Sequence, residues 1–291
     1  MTVLVTGANG QLGTALRQIA PEGWVFSDIV GEGVLHLDIT DSAAVKAAVE
    51  EYGIDVIVNC AGYTNVEGAE DNSADAMLLN GTAPGILAAA IKEKGGLIVH
   101  ISTDYVFGGE TVSEPLKEDA NPAPISVYGV SKLRGEEAVK ASGADYVILR
   151  TAWMHSPWGK NFVKTMIGLT STRDSLKVVS DQTGTPTYAP DLADAILTIL
   201  NEYAAGTPCC GIYNYTDEGS TTWYHFACEI ARLSGNTACE ITPCTSAGFP
   251  TKAQRPQYSV LDKTLVKETF GLEIPCWEES LHRCISAILQ S

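Results

Sequence analysis

A short β-branched run, Val3-Leu4-Val5-Thr6, passes directly into Gly7-Ala8-Asn9-Gly10-Gln11-Leu12-Gly13 and then into an amphipathic stretch that ends at Ile19. Strand, glycine loop and helix in that order leave few folds open. The glycines permit a tight turn and let backbone N–H groups approach a pyrophosphate at the positive end of the helix. Gly-x-x-Gly-x-x-Gly spacing alone is common and can mark a mere glycine-rich turn. Between a strand and a helix it points to a bound dinucleotide. Gly7, Gly10, Gln11, Leu12 and Gly13 are therefore candidate cofactor positions.

The alternation continues. Residues 24–27 and 34–37 read as strands closed by Asp28 and Asp38, and Thr40 or Asp41 is placed to cap a helix through Tyr52. Residues 55–59 and 97–101 are further strands with a long Ala-rich helix between them, followed by a helix over about 126–142 and a sixth strand at 146–149. Strands that are apolar on both faces and alternate with helices imply an α/β fold, a doubly wound parallel sheet of Rossmann type. Beyond Arg150 the alternation loosens and Pro and Gly become frequent at 156–190 and 235–275. The expected organisation is a dinucleotide-binding domain over 1–150, with returning segments at about 185–235. A smaller C-terminal substrate-binding lobe is built from 151–184 and 236–291.

Asp28 lies 21 residues after Gly7, at a strand end where a carboxylate accepts hydrogen bonds from ribose hydroxyls and repels a 2′-phosphate. No Lys or Arg occurs between Arg17 and Lys46, so NADH is expected to be preferred, with NADPH accepted less well. Asp38 and Ile39 close the next strand, where the chain commonly flanks an adenine. Asp38 could equally be a turn residue.

Tyr128-Gly129-Val130-Ser131-Lys132 sets a phenol and an ammonium four residues apart, on one face of a helix. The preceding strand runs out in Ser102-Thr103-Asp104, which puts hydroxyls at its carboxyl end, where ligands of such sheets bind. Together these features resemble the extended short-chain dehydrogenase/reductase family. The likeness extends through Asn59-Cys60-Ala61-Gly62-Tyr63-Thr64-Asn65-Val66-Glu67, Ser102-Thr103-Asp104-Tyr105-Val106-Phe107, Arg150-Thr151-Ala152-Trp153, Asp181-Gln182-x-Gly184-x-Pro186-Thr187 and Arg255-Pro256. Within that family the match is nearest to reductases that turn a dTDP-linked 4-keto-6-deoxy-L-sugar into dTDP-L-rhamnose with NAD(P)H.

The resemblance implies that Thr103, Tyr128 and Lys132 are the catalytic set. Gly62, Tyr63 and Thr64 would line the cofactor cleft, and Asp104 and Trp153 would contact the sugar nucleotide. Arg255 suits its diphosphate, because a guanidinium binds two phosphate oxygens at once; a structural ion pair is the alternative. Gly62 stands where relatives usually carry Ala, and Met154-His155 where many carry Val-Tyr. Some relatives hold a metal through an acid just after the glycine loop. Here that place reads Thr14-Ala15, so no metal is expected.

Neighbouring activities differ in single features. Dehydratases of this fold use an Asp-Glu pair after the active-site Thr, whereas Asp104 is followed by Tyr105. A nucleotide-sugar epimerase shares the Tyr-Lys pair and stays open. A non-catalytic subunit, like the regulatory one of methionine adenosyltransferase, has no need of Thr103, Tyr128 and Lys132 together. A formal charge of −16 over 291 residues argues against a nucleic-acid partner. No apolar run approaches the roughly 20 residues of a membrane helix. No export signal precedes the first strand, so a cytoplasmic monomer or homodimer with eight reduced cysteines is expected.

Overall fold

Alternate side chains of a strand point to opposite faces of a sheet, and in this chain both sets are apolar. In the computed structural model, which describes residues 1–110 and 112–290, the first half runs β1 (Val3–Thr6), α1 (Gln11–Ile19), β2 (Val25–Asp28), β3 (Leu35–His36), α2 (Ser42–Glu51) and β4 (Val56–Asn59). It continues as α3 (Val66–Asp71), α4 (Ser73–Ala76), α5 (Ala83–Lys92), β5 (Leu97–Thr103), α6 (Val127–Ser142) and β6 (Asp145–Thr151). Val3, Val5, Val56, Val58, Leu97 and Val99 pack on one face, against Leu12 and Leu16 of α1. Leu4, Ile57, Ile98 and Ile148 pack on the other, against Val45 of α2, Leu87 of α5 and Val139 of α6.

The second half adds β7 (Met154–His155), α7 (Phe162–Thr170), β8 (Ser175–Val179), β9 (Thr183–Gly184), β10 (Thr187–Tyr188) and α8 (Ala189–Ala204). Then come β11 (Gly211–Asn214), β12 (Thr221–Thr222), α9 (Trp223–Leu233), β13 (Glu240–Cys244), α10 (Thr264–Phe270) and α11 (Trp277–Gln290). The main sheet has seven strands in the order β11-β6-β5-β4-β1-β2-β3, all paired in parallel. The chain reverses its winding between β1 and β4. At such a switch point the loops diverge and leave a crevice at the carboxyl ends of the strands.

The doubly wound sheet is as the alternation implies, and the details sharpen it. Asp41, not Thr40, caps α2, accepting from the N–H groups of Ala43 and Ala44. Ser126 caps α6 through Gly129 N–H. β5 is two residues longer than 97–101 and ends on Thr103 itself.

The single Ala-rich helix expected between β4 and β5 is broken. Asn72 interrupts it after α3, and residues Met77–Thr82 widen into a π-helical stretch. Pro84, just inside α5, has no N–H to offer the carbonyl of Asn80 one turn earlier, which removes an α-helical bond where the widening occurs. The expectation that no segment reaches membrane length is also corrected. Ser73–Lys92 is 20 residues long and contains an 18-residue stretch of mean hydropathy 1.3, long and apolar enough to cross a membrane by length and composition. Half of that stretch is buried, and Leu87, Ala88 and Ile91 lie in the core beneath the sheet. Its apolar side chains match a helix laid on a sheet face.

Beyond β6, the segment that rejoins the sheet is shorter than 185–235. α8 covers the α1 face and β11 becomes the edge strand beside β6. α9 instead sits in a separate core, where Phe226 and Ile230 meet Val163 and Met166 of α7 and Trp277 and Leu281 of α11. β8 and β13 pair over that core to complete the smaller lobe.

Candidate active site

The loop from Gly7 to Gly13 is shaped by the absence of side chains. Gly7 has φ +66°, and a Cβ there would lie 2.7 Å from the backbone of Ala61. A Cβ on Gly13 would lie 2.3 Å from the carbonyl oxygen of Gly7. Gly10 precedes α1 and no side chain caps the helix, so the first-turn N–H groups of Gln11, Leu12 and Gly13 are left for an anion. These residues fit a dinucleotide pyrophosphate. The side chain of Gln11 serves a different contact. Its Oε1 accepts from Ser156 Oγ and Asn161 Nδ2, both at 2.9 Å, and so ties the loop to the smaller lobe.

Asp28 ends β2 with its carboxylate accepting from the N–H groups of Asn9 at 3.0 Å and Ile29 at 2.8 Å. Each oxygen keeps a lone pair for a ribose hydroxyl. Arg17 is distant in the local sequence but close in space. Its guanidinium donates to Asn9 Oδ1 at 3.3 Å and lies 5.9 Å from the ring of Phe26. Asp38 is turned toward Thr40, accepting from its N–H and hydroxyl, and that bonding lowers its pKa. Ile39 is buried in the core beside Leu4 and Val45. The side chains of these two residues thus make a turn and a core contact.

Gly62 and Tyr63 follow β4 and are held by Asn80 of the π-helical stretch. Asn80 Oδ1 accepts from Tyr63 N–H, and its Nδ2 donates to Tyr63 C=O and to Ser131 Oγ. A Cβ on Gly62 would meet Asn80 Oδ1 at 2.8 Å, so glycine here makes room for that clamp. Thr64 is exposed at the mouth. Nothing in the sequence flagged Asn80 except the proline four residues on.

Thr103, Tyr128 and Lys132 converge at the carboxyl end of β5. Lys132 Nζ is buried and donates to the carbonyl of Ile101. Burial pulls its pKa down to about 8, against the opposing pull of Glu136 and Cys60. Burial drives the Tyr128 phenol above its ordinary range, although the Thr103 hydroxyl beside it works the other way. Thr103 Oγ1 donates to Asp104 Oδ1 at 3.0 Å and accepts from Tyr105 N–H at 3.2 Å. Asp104 is itself buried, which pushes its carboxyl up to about 6 despite the Ser259 and Thr103 hydroxyls beside it.

One turn beyond Lys132, Glu136 forms a buried double hydrogen bond with Arg150 and accepts from Ser102 Oγ at 2.6 Å. The sequence likeness includes Arg150 in the block at 150–153 without giving it a role, and no motif flags Glu136; both side chains are buried.

Of the two remaining candidates, Trp153 leaves β6 in a left-handed conformation, φ +47°. Arg255 Nη2 donates to Glu67 Oε1 at 2.8 Å, and its buried Nε has no partner. Lys252 pairs with Asp71. These two ion pairs close the loop at 250–256 onto α3, beside a cleft of about 480 Å³.

A family model described as the RmlD substrate binding domain matches residues 1–290. The chain belongs to that family. It is 40% identical over 301 aligned residues, 99% of each chain, to a Burkholderia thailandensis protein named dTDP-4-dehydrorhamnose reductase. A dTDP-4-dehydrorhamnose reductase structure from Clostridium acetobutylicum matches with a TM-score of 0.92 at 42% identity, covering 100% of both chains. Another, from Bacillus anthracis in complex with NADP, matches with a TM-score of 0.88 at 36% identity over 98% of this chain and 99% of that one. RmlD-family membership bears out the resemblance carried by the blocks at 7–13, 102–107 and 181–187. It also makes the chain an oxidoreductase of the NAD(P)H-dependent kind.

Proposed function

We propose that this chain reduces the 4-keto group of a dTDP-linked 4-keto-6-deoxy-L-sugar to give dTDP-L-rhamnose. The observation that carries the reading is the meeting of Tyr128, Lys132 and Thr103 at the end of β5, beside an uncapped helix terminus shaped for a dinucleotide, in an RmlD-family chain. NAD(P)H, held at the loop from Gly7 to Gly13 and by Asp28, would supply a hydride for the sugar C4. The chain's own residues manage the proton. Tyr128, held fully protonated by burial, gives its hydroxyl proton to the developing alkoxide. Lys132 offers a cation to the phenolate that remains. Thr103, whose hydroxyl is turned to Asp104 in the free protein, swings to the substrate oxygen and holds it in line. Asp104 and Trp153 face the sugar nucleotide. Arg255, part-exposed at the cleft beside Glu67, takes the diphosphate. Purified protein should oxidise NADH or NADPH in proportion to 4-keto sugar added, releasing the oxidised cofactor at each turnover. No oxidation with that sugar, and conversion of it without net cofactor use, would each overturn the reading, the second in favour of an epimerase.

NADH is the proposed preferred cofactor, because the Asp28 carboxylate repels a 2′-phosphate. Arg17, one side chain away across Asn9, tempers that repulsion. Asp28→Ala should therefore narrow the gap in kcat/KM between NADH and NADPH. Arg17→Ala should raise the NADPH dissociation constant about fivefold, the scale of one exposed ionic contact, while sparing NADH. Fluorescence titration with both cofactors checks this, and a tenfold or greater NADPH preference in the wild type sinks it.

Lys132 gives the free enzyme a pH signature. With a pKa near 8 it is cationic below that pH and loses its charge as pH rises through it. Tyr128 titrates above its ordinary range, so it contributes nothing in that window. On its alkaline side the kcat/KM profile should fall to half near pH 8, and Lys132→Arg should remove that fall, whereas any inflection near pH 6 belongs to Asp104 and should persist in the variant. We further read the enzyme as a cytoplasmic monomer or homodimer acting on a small molecule, without a nucleic-acid or membrane partner. Its −16 charge supports the exclusion of nucleic acid.

A further inference from the structure

Trp153 is the only non-glycine residue with positive φ among the described residues. An aromatic residue there is strained, and such strain persists only where the surroundings enforce it. Two neighbours enforce it here. The Trp223 ring lies parallel to the Trp153 ring, with centroids 3.5 Å apart and planes 11° apart. A Cβ built on Gly184 would lie 2.7 Å from Cε2 and Cζ2 and 2.9 Å from Nε1 of Trp153. Near-equal distances to three adjacent atoms put the Gly184 backbone over a face of the indole, not at its edge. The overlaid Trp223 ring leaves no space on its own side, so Gly184 covers the opposite one.

The two walls belong to one small ladder, since β9 and β12 are antiparallel with Gly184 opposite Thr221. Trp223 follows two residues later, at the start of α9, where Thr222 caps the helix and Phe162 of α7 backs the ring at 4.6 Å. β9 also carries the loop at 255–259. Thr183 N–H donates to Gln257 C=O and Thr183 C=O accepts from Ser259 N–H, both at 2.8 Å. That loop brings Ser259 to Asp104 and Arg255 to Glu67.

We infer that Trp223 is a positioning residue for nucleotide-sugar recognition: with Gly184 it forms a slot that grips both faces of Trp153 and leaves only the indole edge to the ligand. This rests on the proposal that Trp153 faces the nucleotide sugar. A base or sugar therefore does not stack on Trp153. The glycine of the Asp181-Gln182-x-Gly184 block is there because any side chain would expel the indole.

The test uses Trp223→Leu, which keeps apolar bulk but cannot stack. Its circular dichroism should lose the exciton couplet of two stacked indoles. Its KM for the dTDP-linked 4-keto sugar should rise about tenfold, with kcat and the NADH dissociation constant changed less than about twofold. Trp223→Phe, which restores a stacked ring, should recover most of the KM. If Trp223→Leu does not fold, Gly184→Ala displaces the indole from the other face and carries the same expectation. An unchanged KM in Trp223→Leu, when Trp153→Ala raises it, would overturn the slot and leave the substrate reading standing. An unchanged KM in both would overturn the two together.

Discussion

Tyr128→Phe is expected to lower kcat by about 10²- to 10⁴-fold, the usual scale of general acid catalysis, with fold and cofactor affinity intact. The substitution removes one oxygen from a half-buried ring. Thr103 loses a neighbour but keeps Asp104 Oδ1 and Tyr105 N–H as partners, so no buried hydroxyl is stranded. The edge-on contact of Tyr105 with the Tyr128 ring, at 5.4 Å and 79°, survives in phenylalanine. Lys132 keeps its bond to Ile101, so the cationic side of the pocket is unchanged. Only the proton disappears. Steady-state kinetics with deuterated cofactor would establish that hydride transfer limits the rate. Retention of more than about a third of wild-type kcat under that condition would mean that the proton comes from elsewhere.

The parts of this molecule legible in the sequence are those written in local periodicity. Val3-Leu4-Val5 sends alternate side chains to two apolar layers, and that alternation, repeated in β4 and β5, specifies a covered parallel sheet without any knowledge of contacts. Gly7 and Gly13 were legible for the same reason, because a bend followed by a helix needs them within a few residues. Tyr128 and Lys132 were legible as one helical turn.

What stayed hidden is carried by contacts between distant segments. Arg17 lies outside any window drawn around Asp28, yet an intervening Asn9 brings it to the same corner. Gln11 belongs to the glycine loop by position, and the use of its side chain is set 145 and 150 residues later, at Ser156 and Asn161. Asn80 holds Tyr63 from a helix whose π-helical turn has no periodic signature. α9 reads as a returning helix like any other, and only packing against α7 and α11 assigns it to the smaller lobe.

Arg150→Met is expected to destabilise the fold by about 3–5 kcal/mol, more than substitutions in the crevice. Arg150 is among the largest fully buried side chains, and each nitrogen of its guanidinium has a hydrogen-bond partner. Nε and Nη2 meet the two oxygens of Glu136 at 2.9 and 2.8 Å, Nη1 donates to Glu118 C=O at 3.0 Å, and Phe107 lies beneath it at 5.0 Å. Methionine fills much of the volume and answers none of these groups. Glu136 would be left as a buried carboxylate with Ser102 Oγ as its one remaining side-chain donor, and an uncompensated buried charge is what makes breaking such a pair costly. The pair itself contributes little beyond an apolar replacement, because two ions must first be stripped of water. Adding Glu136→Leu to Arg150→Met should therefore recover most of the loss. Urea unfolding resolves the two cases as a lowered midpoint at unchanged slope in the single variant and a largely restored midpoint in the double. Since α6 carries Glu136 one turn after Lys132, the single variant should also lose cofactor affinity at temperatures where it remains folded. A loss of less than about 1 kcal/mol on Arg150→Met would mean that water reaches Glu136 and that the pair does not anchor α6 to the sheet.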